Sequence, residues 1–229
     1  MTGNKLGQIT IFVIIAILIV GALIIFFAFT DNGRNVIQGF TDTGDLDVQG
    51  YLTNCMDNEE IDNGINSILM QGGNKAPEFY YLFEGNKLSY LCYTNEYYKT
   101  CINQQPVLIG HVENEILDAV APYIDSCIDN LKNELERRNY ETSYGKLNVS
   151  IEMLPEVILI NIDFPITLTK GDNTRRFGGF QVRKASEAYQ LITLSTSIIN
   201  FEARYGESDP ATYMALYPQT KVEKLKQGD

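Results

Sequence analysis

The chain opens on an apolar block and then changes character. Ile9 to Phe29 runs for 21 residues without a charged side chain. At about 1.5 Å of rise per residue, a helix of that length covers roughly 30 Å, the thickness of a bilayer's hydrocarbon core. No soluble strand is that long, and a chain in lipid satisfies its backbone by closing helical hydrogen bonds. Residues 1–30 are therefore expected to form a single N-terminal transmembrane or signal-anchor helix. A cleaved secretory signal would carry a shorter apolar stretch of about 7–15 residues ending in a small-x-small site, and FFAFTDNG offers none. Residues 31–44, with NGRN and TDTG, predict a turn-rich linker.

Beyond the linker the periodicity becomes that of a folded domain over residues 45–218, with a flexible tail at 219–229. Asp45 or Asp47 is placed to cap a helix on which Val48, Leu52, Cys55, Ile61, Ile65, Ile68 and Leu69 share a face. The QGG at 71–73 stops it. Phe79–Phe83 and Lys87–Leu91, split by EGN, predict a tyrosine-rich hairpin. The strongest stripe runs from Val112 to Asn139, with Ile116, Val120, Ile124, Cys127, Leu131 and Leu135 at three- and four-residue steps. Glu113 and Glu115 early, and Arg137 and Arg138 late, suit the helix dipole. Pro122 must kink that helix or start its second half. Leu147–Met153, Val157–Asp163, Ile166–Thr169 and Phe177–Val182 predict strands, with turns at Pro155-Glu156 and over residues 170–174. A last long helix is expected over Arg183–Tyr205, with Ala185, Tyr189, Ile192 and Ile199 inward. Asp209-Pro210 should open a short helix ending before Pro218. The whole predicts an α+β ectodomain with antiparallel strands and three longer helices, and no internal repeat.

Charge sharpens this picture. Of 18 basic residues only Lys5 precedes the apolar run, whereas all 29 acidic residues follow it. So acidic an ectodomain is not a nucleic-acid binder, because phosphate demands the opposite sign. Lys5 before the run and Arg34 after it nearly balance under the positive-inside rule. The cysteines decide the orientation. There are four, Cys55, Cys92, Cys101 and Cys127, none in CxxC, and a single histidine leaves a zinc site short of ligands. An even count in an exported chain implies two disulfides, with three connectivities open. The polar spacer YTNEYYKT favours a local Cys92–Cys101 bridge, which leaves Cys55 to join Cys127 across two apolar helix faces. An oxidising exterior places the N-terminus in the cytoplasm and the C-terminal domain outside the cell membrane.

The start Lys5-Leu6-Gly7-Gln8-Ile9-Thr10-Ile11-Phe12, running into an unbroken apolar helix, resembles the class III signal region of archaeal type IV pilin-like proteins. That resemblance implies cleavage after Gly7 by a prepilin-type peptidase, with Gln8 as the new N-terminus and the apolar helix building a filament core. Leu6 stands where a second basic residue is common, and Phe12 where many such pilins carry Glu. The chain also resembles uncharacterised membrane-anchored surface proteins of small-genome archaea, which share a KxGQITIF start, a Cys-bearing helix ending in QGG and a second Cys-bearing helix. No activity follows from that likeness.

Candidate chemistry is sparse. No GxSxG, HExxH, GxGxxG or GxxxxGK[ST] occurs, and no cofactor is implied. His111, just ahead of a helix, suits capping or exposure better than catalysis. Asp57, Glu59, Glu60 and Asp62 are weak candidates for a hard cation, since oxygen clusters suit calcium, but they lack the EF-hand order and read first as a solvated helix face. Tyr80, Tyr81, Tyr90, Tyr93, Tyr97 and Tyr98 crowd the hairpin as either contact surface or strand-forming core. Asn148-Val149-Ser150 is a glycosylation sequon. The chain therefore reads as a non-enzymatic, membrane-anchored cell-surface protein that binds a protein or glycan or scaffolds the envelope. A processed pilin-like subunit, oligomerising or forming a filament through its apolar helix, is the alternative. An anchored carboxylate-dependent hydrolase, for example on Glu152 and Asp163, is a distant third.

Overall fold

The computed structural model describes residues 46–223. Gly7, Gln8, the apolar run and the linker lie outside them. Among the described residues no helix is long and apolar enough to cross a membrane. The chain divides into two units at Asp47–Val48, and the second is described here by itself. It is α+β, with antiparallel sheets and five helices.

The helix expected from residue 45 to the QGG is two helices, α1 (Val48–Met56) and α2 (Glu59–Met70). Their shared apolar stripe hid the break. Asn58 takes an extended conformation, accepts from the Ile61 amide at 2.9 Å and donates to the Cys55 carbonyl at 2.8 Å. One side chain thus closes α1 and caps α2, an arrangement whose loss typically costs about 1 kcal/mol. The stop at the QGG holds: Gly72 and Gly73 lie at φ 72° and 86°, and the Gly73 amide returns to the Ile68 carbonyl at 2.9 Å.

The hairpin forms from β1 (Tyr80–Phe83) and β2 (Asn86–Ser89). A second, two-residue ladder not anticipated from sequence joins β3 (Cys92–Tyr93) to β4 (Ile102–Asn103). Helix α3 spans Leu108–Arg137, four residues longer at its start than the sequence implied, and passes continuously through Pro122. Pro122 and Asp118 are both exposed, so water can take the bond that the missing N–H leaves at the Asp118 carbonyl. Every residue of the expected stripe, from Ile116 to Leu135, is buried. Because the helix starts at Leu108, Glu113 and Glu115 are not in its first turn. They reach outward instead, accepting from the Met153 amide at 2.8 Å and the Lys75 amide at 2.7 Å.

Strands β5 (Glu141–Tyr144), β6 (Asn148–Leu154), β7 (Val157–Asp163), β8 (Ile166–Lys170), β9 (Asn173–Phe177) and β10 (Phe180–Ala185) form two sheets, ordered β10–β7–β6 and β5–β8–β9. The expected strand Phe177–Val182 is divided at Gly178-Gly179. A Cβ on Gly179 would lie 3.0 Å from the Ile162 carbonyl oxygen, so the chain turns against β7 there. In the first sheet the register sets Ile151, Ile160 and Val182 in one row and Met153, Ile158 and Lys184 in the next, on the face that holds the core. α3 packs along β6, α2 packs on α3, and α1 touches both α3 and β10.

A helix side chain takes one ladder position on each outer edge of this sheet. Gln49 of α1 donates to the Gln181 carbonyl on β10 at 3.1 Å, and Glu113 of α3 takes the Met153 amide on β6. Side chains occupying open ladder positions keep foreign strands from pairing there.

Helix α4 covers Ala188–Tyr205, because residues 183–185 complete β10. Of the four residues expected inward, Ile192 is buried, Tyr189 and Ile199 are half-buried, and Ala185 is exposed on the strand; Ala188 and Leu194 fill the inner face. α5 (Pro210–Leu216) starts as expected on Asp209, which accepts from the Ala211 amide at 3.0 Å.

Candidate functional site

The four cysteines are bonded as the spacer argument proposed. Cys55 of α1 bridges Cys127 of α3 with Cα atoms 5.9 Å apart, and Cys92 bridges Cys101 at 5.3 Å. No cysteine is free. The first bridge clamps two core helices. The second closes the base of a nine-residue step in sequence that carries the tyrosines outward.

The tyrosine cluster divides between half-buried and exposed rings. Tyr81, Tyr90 and Tyr93 are half-buried, and the Tyr93 ring lies 5.2 Å from that of Phe79. Tyr80 is exposed beneath the Lys87 ammonium, 4.7 Å from its ring centroid. Tyr97 and Tyr98, 104% and 81% exposed, project from the cystine-closed loop. Both rings thus place apolar surface in water at the loop tip. The loop is braced from within. Glu96 accepts from the Tyr98 hydroxyl at 2.8 Å and from the Lys99 ammonium at 2.9 Å. The Lys99 bond, then that from Tyr98, holds the Glu96 carboxyl below its ordinary range. At the base, the Gln104 amide bonds the Leu91 carbonyl at 2.8 Å, and Asn103 reaches Asn200 of α4 at 3.1 Å. The result is a loop closed by a covalent bond at its base and braced by contacts among its own exposed side chains.

The acidic run does not gather as a cation site. Asp57 and Asp62 flank the Lys184 ammonium at 2.9 and 3.0 Å, while Glu59 and Glu60 occupy the exposed first turn of α2. Among the described residues no group of three or more His, Cys, Asp or Glu is placed to hold a metal. Sequence reasoning missed Lys184. Its signal was present: in Phe180-Gln181-Val182-Arg183-Lys184 it holds the inward parity of two apolar residues. Its stem covers the core, and its charge emerges where α1 meets α2. Burial would lower its pKa, but Asp57 and Asp62 outweigh that and raise it above the ordinary lysine value. Lys184→Met keeps the stem and removes the charge. Because Asp57 and Asp62 are 76% and 51% exposed, the expected loss at neutral pH is only about 0.5–1 kcal/mol. With the folded pKa raised, that contribution is complete below about pH 10.4 and disappears as pH climbs through the folded value. Denaturant midpoints of the two proteins should therefore differ at neutral pH and converge in strong alkali.

The other candidates remain apart. Glu152 and Asp163 share a face but sit four register positions from each other, about 13 Å along the strands. That exceeds the span between paired catalytic carboxylates in glycosidases, which reaches roughly 9.5 Å. His111 lies inside α3, not ahead of it, with Nε2 2.8 Å from the Asn74 side-chain oxygen. Asn148 is exposed at the start of edge strand β6, open to modification. An apolar cleft of about 240 Å³ opens between the end of α2, the start of α3 and the first turns of α4, lined by Leu69, Gly73, Leu108, Val112, Leu191 and Ile192.

Compared with known proteins, the chain matches no family model, no curated protein and no solved structure.

Proposed function

We propose that residues 46–223 form a non-enzymatic binding or scaffolding ectodomain, carried outside the cell on an N-terminal membrane anchor. The observation that carries this reading is the pairing of every cysteine into a bridge of native spacing. Such bridges persist in oxidising compartments and are rare in the cytosol. The 21-residue apolar run from Ile9 to Phe29 supports the anchor, and the cystine-closed Tyr97–Tyr98 loop supplies a contact surface suited to a protein or glycan.

Membrane fractionation tests the reading. The chain is expected to pellet with membranes and to resist extraction by high salt and by alkali. Non-reducing peptide maps of the same material should show both bridges. Release into the soluble fraction with residues 9–29 intact, or four alkylatable thiols in fresh protein, overturns it. Mass spectrometry of the native N-terminus separates the pilin-like alternative. That alternative requires a chain beginning at Gln8, and its filaments should vanish in Gly7→Val.

A further inference from the structure

The charge of this protein is distributed unevenly over its fold. The β5–β8–β9 sheet and its connections, residues 139–147 and 164–179, carry four basic residues, Lys146, Lys170, Arg175 and Arg176; Arg138, just before them, is already paired with Glu134 at 2.6 Å. Only two acidic ones, Glu141 and Asp172, accompany them. This patch is +2 in a chain of net −11, which leaves −13 for the remainder.

The patch is also a surface. Residues 173–176 of edge strand β9 are all exposed, as are Lys146 and Lys170. Lys170 stands over the Tyr140 ring at 4.8 Å and Arg175 over Phe177 at 5.4 Å, so flat apolar supports hold two of the cations. Arginines on an edge strand discourage edge-to-edge pairing. That role accounts for β9, but not for Lys146 on the link between β5 and β6.

A cluster of acidic residues, partly neutralised by Lys184, lies at the other end of the β10–β7–β6 sheet. Lys184 pairs in register with Ile158, near the β6–β7 turn, and meets Asp57 and Asp62 there; Glu59 and Glu60 follow on the exposed start of α2. The basic sheet joins at the opposite end, next to Asn148 and Asp163. The two ends are separated by the length of the strands, about 20 Å.

We propose that the basic β5–β8–β9 face docks on the acidic α1–α2 end of a second copy of this chain. Unlike patches at opposite ends make the contact head-to-tail, so it propagates along a row of molecules and does not close as a two-fold dimer. Charge complementarity selects this occupant, since the chain itself supplies the acidic excess. The contact involves only the folded unit and is independent of how residues 1–45 are held.

Ionic strength gives the contact a distinctive signature. Whole molecules of net −11 repel one another at low salt. At about 0.1 M salt the screening length is roughly 10 Å, which suppresses that long-range repulsion but leaves ion pairs in direct contact. Self-association of the full-length chain in a nonionic detergent, measured by sedimentation velocity, should rise from about 0.01 to 0.1 M salt and be lost near 1 M. Lys146→Glu combined with Arg176→Glu should weaken it at least about tenfold, as should Glu59→Lys with Glu60→Lys. Lys146 and Arg176 are exposed loop and strand residues, so the melting temperature of that variant should hold and separate its effect from misfolding. The α2 variant places two cations in a helix's first turn and should melt somewhat lower while staying folded, which restored association on mixing verifies. Mixing the two variants should restore association, because each then presents the other's complement. A monomer at every salt concentration overturns the proposal. So does association indifferent to salt and to both variants, which would place the contact in the apolar segment. Capture of the protein as a monomer by vesicles containing anionic lipid, through the same basic residues, likewise overturns it.

Discussion

Replacing both Cys55 and Cys127 with alanine is expected to lower the stability of the folded unit by about 4 kcal/mol. The bridge closes a separation of 72 residues, and the chain-entropy relation for a loop of that size gives that figure at 25 °C. In a domain of this size 1 kcal/mol moves the melting temperature by about 2–4 °C, so the drop should be roughly 8–16 °C. Cys127 is buried between α1 and α3, and alanine there also leaves a small void, which pushes the result toward the upper end. The same substitution at Cys92 and Cys101, separated by nine residues, should cost about 2.5 kcal/mol. Calorimetry on the two pairs should rank them in that order. Equal losses would mean that loop size does not govern the stabilisation here.

Gly73→Ala is the second large effect, expected at about 2–4 kcal/mol. Two causes combine. Gly73 sits at φ 86°, where an L side chain costs about 1–2 kcal/mol. A Cβ there would also lie 2.5 Å from Cγ2 of Val112, a β-branched side chain held stiffly on α3. A double-mutant cycle separates the two. Val112→Ala should relieve the collision but not the backbone strain, so the pair should couple by about 1 kcal/mol or more. Additive losses would show that α2 and α3 shift apart to admit the methyl group. Because Gly73 and Val112 both line the apolar cleft, the cycle also reports whether that cleft can deform.

Much of the architecture was readable from residue order, for identifiable reasons. The stripe from Ile116 to Leu135 survives as a buried helix face because nothing local competes with it. Alternation through Leu147–Met153 marks β6, since a one-residue slip would turn its apolar set to solvent. The near-continuous apolar run Val157–Ile162 past the Pro155-Glu156 turn marks the more deeply buried β7 it pairs with. The cysteine pairing followed from a polar spacer and two apolar faces, and those faces do meet. What escaped was decided by single side chains or by distant partners. Asn58 interrupts a stripe that would otherwise continue, by bonding in both directions. Glu141–Tyr144 is polar and short, and it is a strand only because β8 lies beside it. Arg183, Lys184 and Ala185 fit a helix start as well as a strand end; register with β7 settles them as strand. Of the candidate sites, the exposed Tyr97 and Tyr98 were within reach of the sequence. Lys184 would have been, had its inward parity been weighed.

The side chains bonded to the two sheet edges belong to α1 and α3, the helices that the Cys55–Cys127 bridge fastens together. One covalent bond therefore ties together the two helices that reach those edges. A molecule that reaches a reducing environment, or that folds before this bridge forms, loses the restraint on Gln49 and Glu113 together. Its vulnerable state is then a nearly intact sheet with two bare margins, a template for cross-β stacking. Failure of this protein should begin as amyloid-type growth from near-native molecules, not from the unfolded chain. Thioflavin fluorescence rising under mild reduction, while far-ultraviolet circular dichroism still reports native helix, is the expected sign. Helix loss that precedes any dye response would place the origin of aggregation in the unfolded state.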